Sequence, residues 1–340
     1  MRDSRNMRVW ICFALVAAAL WRWSGALTEQ IQRFFSDPEV AAFILYLETG
    51  QVFHAAAPPE TTSPPPETTL PLETVAPTQP REDPLVLPEN AGNTVNIRNS
   101  CGIRVDGEGL LHTPLDWNLA DGEDRVLLFH THATESYTPT AEHPYVESSY
   151  YRTLEEEDNM VRVGETLAQQ LQTAGIGVIH DRTLHDYPSY NGSYGNSRKT
   201  VRKHLEKSPG LRLVLDLHRD ALETESGKQI AKRITVEGKS VAQIMLVVGT
   251  NAGGLHHPDW EENLALALKL QQQLEDICPG ICRYISLRRE RFNQDLSQGA
   301  VLVEVGTAGN TLEEALAATE ILGKAIIALA HGCVTEDSTS

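Results

Sequence analysis

The stretch VLLFHTHATE, residues 126–135, joins a continuous apolar run to a group of ionisable side chains. Four consecutive apolar residues predict a strand that is covered on both faces, as in parallel sheets. Two further strands are predicted in the same way. The run at 211–217 ends at His218, and the run at 301–303 ends at Glu304. Because ligand sites form beyond the carboxyl ends of parallel strands, we expect these three strand ends to build a site.

Helical patterns alternate with these strands. Apolar residues recur at helical spacing over 160–171, and further helices are predicted over 198–206, over 259–275 and from the capping box of residues 311–314. Segments 234–236 and 242–248 flank a Glu-Gly-Lys turn and predict a hairpin. Repeated β-α-β units predict an α/β fold, a mostly parallel sheet with helices on both faces.

The first 93 residues differ in composition from the rest of the chain. Three arginines precede an apolar run of about 13 residues, which predicts a secretory signal or a single-pass membrane anchor, with the domain beyond it on the extracytoplasmic side. Ten of the 18 prolines fall in one segment with Thr and Glu, which predicts a disordered linker. The predicted organisation is a signal or anchor at 1–26, a juxtamembrane segment at 27–53, the linker at 54–93, a catalytic domain at 94–332 and a polar tail at 333–340.

Composition excludes two classes of protein. The net charge is -17, and no basic patch of the kind that binds nucleic-acid phosphates is apparent. Five cysteines in 340 residues cannot form the framework of a small disulfide scaffold. Cys278 and Cys282 frame a Pro-Gly pair and could close one disulfide outside the cell.

The residue types at the three strand ends are those of a zinc hydrolase. Zinc takes histidine nitrogens and carboxylate oxygens as three protein ligands and keeps a fourth position for water. A further carboxylate then serves as the base. The spacing His132-x-x-Glu135 offers two ligands from one turn. A single buried histidine is more often a packing residue, but three converging strand ends favour a zinc site. His256 and His257, in a predicted loop, are interpreted as surface or helix-entry packing residues.

Four blocks of this sequence closely resemble the stage II sporulation protein P family. They are HTHATESYTP at 130–139, YNGSY at 190–194, DLHRD at 216–220 and VEVG at 303–306. The resemblance runs from about 94 to about 329 and includes the anchor and linker layout. It implies a zinc-dependent cell-wall hydrolase like the N-acetylmuramoyl-L-alanine amidases, with peptide-cleaving activity as well. It also implies action on peptidoglycan during engulfment of the forespore, beside a membrane partner and a lytic transglycosylase.

The resemblance implies roles for individual residues. His218 matches the second metal histidine of the family, and Glu304 matches its catalytic glutamate. The first metal ligand is either His130 or His132, since both lie in the first block.

The carboxylate ligand has three candidates. In related amidases it lies at the start of the first long helix, which here would be Glu155 or Glu156. Glu135 competes because it follows the first histidine so closely, and it is favoured.

Two residues near the predicted site are interpreted as contacts with substrate. Arg219 would pair with a substrate carboxylate, or alternatively with Asp216 or Asp220. Tyr194, with Tyr190 and Arg198, would line a wall-binding groove or pack at the start of a helix. Two other functions stay open at this point: a wall-binding scaffold without catalysis, and a zinc carboxypeptidase that releases single terminal amino acids.

Overall fold

The apolar runs of the sequence form strands of one sheet, and the periodic segments form helices packed on it. The structure is a computed structural model and describes residues 85–86, 96–115 and 118–337, in which the chain forms eleven strands and five α-helices. The strands are β1 (Leu85–Val86), β2 (Ile97–Asn99), β3 (Asp124–Phe129), β4 (Gly177–His180), β5 (Leu213–Asp220), β6 (Ile230–Ala231), β7 (Arg233–Val236), β8 (Lys239–Ala242), β9 (Ile244–Gly249), β10 (Ile285–Arg288) and β11 (Ala300–Thr307). The helices are α1 (Gly107–Leu111), α2 (Met160–Thr173), α3 (Ser193–Lys207), α4 (Trp260–Ile277) and α5 (Leu312–Asp337).

Seven strands form the central sheet, in the order β2-β10-β9-β11-β5-β3-β4. Strands β11, β5, β3 and β4 run parallel to one another, and so do β9, β10 and β2. The two groups meet at β9 and β11, which are antiparallel. The predicted mostly parallel sheet is confirmed, and this one antiparallel junction was not foreseen.

Helices cover both faces of the sheet, as predicted. Helices α2, α4 and α5 pack on one face, and α5 lies between the other two. The predicted apolar stripe of α2 is buried there. Helix α3 covers part of the other face, where Val201 packs on Leu127, Phe129 and Val214.

The predicted hairpin is present, but its second strand was assigned wrongly. Strand β7 pairs with β8 across a turn in which Glu237 and Gly238 both have positive φ, 50° and 80°. Such a two-residue turn matches the twist of paired strands. The apolar run assigned to the hairpin is instead β9, which pairs with β10 and β11. Its six residues are all buried, which suits a central strand rather than an exposed hairpin arm.

The segments predicted at 1–26 and 27–53, and most of the linker, lie outside the described residues, as does the tail from 338. At 85–86 the structure overlaps the predicted linker, because Leu85–Val86 pairs in parallel with Ile230–Ala231. No helix within the described residues is long and apolar enough to span a bilayer.

Cys278 and Cys282 are both free, buried thiols. Burial raises the pKa of each thiol, and the nearby Glu275 carboxylate raises it further. Both thiols are therefore protonated at neutral pH, and the disulfide that the sequence suggested for them is not formed.

Candidate functional site

The three predicted strand ends meet at one edge of the sheet. Strands β11, β5 and β3 are consecutive neighbours and run parallel, so their carboxyl ends lie side by side. Glu304 is directly opposite His218 in the register of β11 and β5, which places both side chains on the same face. The expectation that these residues converge is confirmed.

His132 lies in the turn that follows β3, and aromatic rings surround it. Its ring stacks on Tyr190 with centroids 4.4 Å apart and an interplanar angle of 9°. The edge of Tyr194 lies 5.5 Å away, and the ring of His218 stands perpendicular at 5.2 Å. Tyr194 therefore lies beside His132. Nε2 of His132 is 3.1 Å from Tyr190 Oη, whereas Nδ1 is buried without a hydrogen-bond partner. Burial lowers the pKa of His132 well below its usual value, so the ring is neutral.

His218 lies between two carboxylates. Its Nδ1 is 3.5 Å from Glu135 Oε2. Its Nε2 is 2.8 Å from Asp216 Oδ1, although the two are not aligned for a hydrogen bond. Burial by itself would lower the pKa of His218, but the charges of Asp216 and Glu135 outweigh it and raise the pKa well above its usual value. Without a metal, His218 is therefore a cation.

Two arginines hold Glu135 as an anion. Its Oε1 is 3.2 Å from Arg152 Nη2 and 3.7 Å from Arg219 Nη1, and its Oε2 is 3.4 Å from the Arg219 backbone nitrogen. Burial favours the protonated acid, but Arg219, His218 and Arg152 together lower the pKa of Glu135 well below its usual range. Arg152 is fixed in turn by Asp186, whose Oδ2 lies 2.6 Å from Arg152 Nη1.

Glu304 is half-buried, and its Oε2 has no hydrogen-bond partner. Burial and the neighbouring Asp220 raise the pKa of Glu304 to about 8, although the charges of His218 and Arg283 oppose the shift. A carboxylate whose pKa lies near neutrality can both accept and return a proton, as a general acid–base catalyst must.

His130 does not join this cluster. Its Nε2 is 2.9 Å from His180 Nε2, and its Nδ1 is 3.2 Å from the carbonyl oxygen of Leu217. Gly164 of α2 lies directly against both imidazole rings. On a continuing strand His130 and His132 would share a face, but β3 ends at Phe129 and the chain turns between them. The histidine placed beside His218 is therefore His132.

Glu155 and Glu156 also lie away from the histidines. Glu155 is exposed and accepts a hydrogen bond from the backbone of Val146 at 3.2 Å. Glu156 pairs with Arg182 at the surface. The carboxylate next to His218 is Glu135, which the sequence analysis favoured.

Arg219 is buried and supports Glu135. Its Nε donates to Ser136 O and its Nη2 donates to Tyr151 O, both at 3.0 Å. The two aspartates suggested as partners of Arg219 have other neighbours. Asp220 pairs with Arg283 at 2.7 Å, and Asp216 lies beside His218. The suggested pairing of Arg219 with Asp216 or Asp220 is not formed, because its side chain turns into the protein and contacts Ser136, Tyr151 and Glu135 instead.

Arg152 and Asp186 were not foreseen as site residues. They come from the long connection between β3 and α2 and from the loop after β4. The guanidinium of Arg152 also lies 4.8 Å from the ring centre of Tyr190. The sequence signal was weak, because each is a single charged residue in a segment without periodicity.

The donor chemistry of the cluster fits zinc. In the described part of the chain, no group of three or more His, Cys, Asp or Glu side chains is already arranged to hold a metal ion. However, the buried Nδ1 of His132 lacks any partner. His218 Nδ1 and Glu135 Oε2 are 3.5 Å apart, close to the roughly 3.3–3.4 Å expected between two ligand atoms around a tetrahedral zinc. Two imidazoles and one carboxylate also form a typical ligand set for catalytic zinc.

Fold and site together define an α/β protein with a histidine–carboxylate site at the carboxyl ends of parallel strands. The chain belongs to the stage II sporulation protein P (SpoIIP) family, whose model matches residues 52–327. It is 31% identical over 202 residues to the stage II sporulation protein P of Bacillus subtilis (strain 168), which is 56% of this chain and 47% of that protein. The chain thus spans about half the length of this relative.

Several solved structures are similar to this chain at low identity. The CwlD amidase from Clostridioides difficile, in complex with the GerS lipoprotein, is 12% identical, with 63% of this chain and 100% of that chain covered and a TM-score of 0.39. The N-acetylmuramoyl-L-alanine amidase AmiC2 of Nostoc punctiforme is 11% identical, with coverage of 63% and 98% and a TM-score of 0.37. The amidase Ami1 from Mycobacterium smegmatis is 13% identical, with coverage of 64% and 100% and a TM-score of 0.37.

Proposed function

We propose that this protein is a zinc-dependent peptidoglycan hydrolase of sporulation that cleaves the amide between N-acetylmuramic acid and L-Ala. The observation that carries the proposal is the convergence of His132, Glu135, His218 and Glu304 at one edge of the sheet. Membership of the stage II sporulation protein P family supports the sporulation context. Cleavage of stem-peptide cross-links is proposed as a second activity on the family resemblance alone.

The proposed location follows from the N-terminal sequence. Residues 1–26 would anchor the chain in the membrane, and the catalytic domain would work on the extracytoplasmic side. Its proposed partners are other engulfment proteins, namely a membrane protein and a lytic transglycosylase, as the family resemblance implies.

His132, His218 and Glu135 are the residues that would hold zinc. When bound there, zinc would polarise the scissile carbonyl and make a water molecule more acidic. Arg152 and Arg219 fix the Glu135 carboxylate in place, and the Asp216 carboxylate lies 2.8 Å from Nε2 of His218. Such supporting contacts orient metal ligands.

Glu304 would move the proton. It takes a proton from the attacking water as the oxygen bonds to the carbonyl carbon, and it gives that proton to the departing amine nitrogen of L-Ala. Its free Oε2 is the atom for this transfer, because no protein hydrogen bond engages it. Tyr194, at the edge of His132, would line the substrate groove.

Metal content and hydrolysis, measured together on purified variants, test this assignment. Wild-type protein should bind about one zinc per chain, and chelation should abolish digestion until Zn²⁺ is restored. Glu304→Gln keeps the shape but cannot take a proton, so zinc should stay while turnover falls roughly 10²–10⁴-fold. His218→Ala and His132→Ala should lose zinc together with activity. His130→Gln is the matched control, and it should keep the metal.

Three results would contradict the proposal. Loss of zinc from Glu304→Gln would make Glu304 a ligand. Mass spectra of digested peptidoglycan that show only single terminal amino acids would favour a carboxypeptidase. Binding of peptidoglycan without any product would favour a scaffold.

A further inference from the structure

Tyr190 contacts His132 in two independent ways. Its ring is stacked on the imidazole at 4.4 Å, and its Oη lies 3.1 Å from Nε2. The stack restrains the plane of the imidazole, and the polar contact restrains its rotation within that plane. The guanidinium of Arg152 in turn lies 4.8 Å from the centre of the Tyr190 ring. His132 is therefore oriented by a residue of the loop that leads into α3.

This contact also decides which nitrogen of His132 carries the proton. A neutral imidazole has one N–H and one bare nitrogen. If the proton were on Nδ1, it would be a buried donor without a partner, because Nδ1 has none. Unpaired buried N–H groups are rare and costly. With the proton on Nε2, the N–H donates to Tyr190 Oη, and Nδ1 keeps its lone pair.

His218 has a carboxylate near each of its two nitrogens. Its Nε2 lies 2.8 Å from Asp216 Oδ1 without the alignment of a hydrogen bond, and its Nδ1 lies 3.5 Å from Glu135 Oε2. In both histidines a polar side chain lies close to Nε2. Histidines that bind metals commonly use one nitrogen for the metal and give the other N–H to such a group.

We propose that Tyr190 is a positioning residue, whose hydroxyl holds His132 in the Nε2–H tautomer and so keeps Nδ1 available to the metal. This inference rests on the proposed function, because it assigns a metal to Nδ1. It assigns the neutral phenol of Tyr190 as the support of the ligand His132, whereas a carboxylate, that of Asp216, lies beside the ligand His218.

Nitrogen NMR of the metal-free wild-type protein gives the first test and requires no substitution. Long-range ¹H–¹⁵N spectra of histidine-labelled protein, with His132 assigned from a His132→Gln variant, should show the proton on Nε2. A proton on Nδ1 in the wild type would overturn the proposal, whatever the variants do.

Tyr190→Phe gives the second test, since it keeps the stacked ring and removes the hydroxyl. The tautomer of His132 should shift toward Nδ1–H, and zinc affinity measured by competition with a chelator should fall roughly 10–100-fold. Tyr187→Phe is the matched control: it removes a hydroxyl from the same loop, but the side chain is 53% exposed. It should change neither property.

The outcomes separate this inference from the proposed function. If Tyr190→Phe has the tautomer and zinc affinity of Tyr187→Phe, the role of Tyr190 is overturned, while zinc binding by the wild type leaves the proposed function standing. If the wild type has no zinc affinity, the proposed function fails, and the metal role of Nδ1 fails with it.

Discussion

His257 is a buried titratable residue outside the candidate site. It is 1% exposed, and neither of its ring nitrogens has a hydrogen-bond partner. Burial lowers its pKa, although the nearby Asp295 and Asp259 oppose the shift, and Arg291 and His256 add to it. The expectation that this histidine packs at the entry to α4 agrees with its burial two residues before Asp259, the N-cap.

The stability of the fold should therefore fall in acid, in part through His257. Its pKa is about 6.5 in the unfolded chain and lower in the folded one, so the unfolded state binds more protons as pH falls below about 6.5. His257→Gln should reduce the loss of unfolding free energy between about pH 7.5 and pH 5, measured by denaturant titration at both values. His256→Gln, at an exposed neighbour, is the control. An unchanged acid loss in His257→Gln would contradict the prediction. Other histidines with lowered pKa act in the same direction, the buried His130 and His132 and the half-buried His180.

At the scale of elements, Gly164 decides how closely α2 approaches the sheet. A Cβ at this position would lie 2.7 Å from His130 Nε2 and closer still to His180. The histidine pair therefore fills the space beneath the helix, and its place in the packing explains why His130 is not a site residue.

Gly164→Ala should destabilise the protein. Overpacking a buried contact of this kind costs roughly 1–3 kcal/mol, because the rings or the helix must shift. Gly195→Ala in α3 is the matched control, since nothing lies within 4 Å of its added Cβ. That change should be neutral, or stabilise by up to about 1 kcal/mol through helix propensity. Urea unfolding of both variants measures the difference, and equal stabilities would show that α2 has room to move.

At the scale of the whole molecule, anchoring and catalysis should be separable. The predicted linker holds no candidate ligand, but Leu85–Val86 pairs with β6 and belongs to the fold. Deletion of residues 58–83 should therefore leave peptidoglycan digestion by purified protein within about two-fold of wild type, since the composition of this segment predicts a spacer that does not support a core. On the proposed function, the same deletion should impair engulfment in cells, because the proposed anchor would hold the domain too close to the membrane to reach its proposed substrate. An inactive purified deletion protein would mean that the linker contributes to the site.

The elements of the site could be predicted from the sequence. Continuous apolar runs mark β3, β5 and β11 as buried strands, and polar residues directly after or within them mark His132, His218 and Glu304 as candidates. The buried apolar face of α2 could be predicted from the sequence in the same way. These patterns are local, because burial of a regular element repeats along a few neighbouring residues.

The choice among candidates was decided only by the tertiary structure. Only His132 lies beside His218, because the chain turns after Phe129 and directs His130 elsewhere. Of the carboxylates, Glu135 is buried beside His218, whereas Glu155 stays at the surface. The supports of His132 and Glu135 come from loops far along the chain: Tyr190 is 58 residues from His132, and Arg152 is 17 residues from Glu135. No periodicity connects residues at such separations. Their meeting depends on how loops cross the edge of the sheet, which is a property of the packed molecule and not of any one segment.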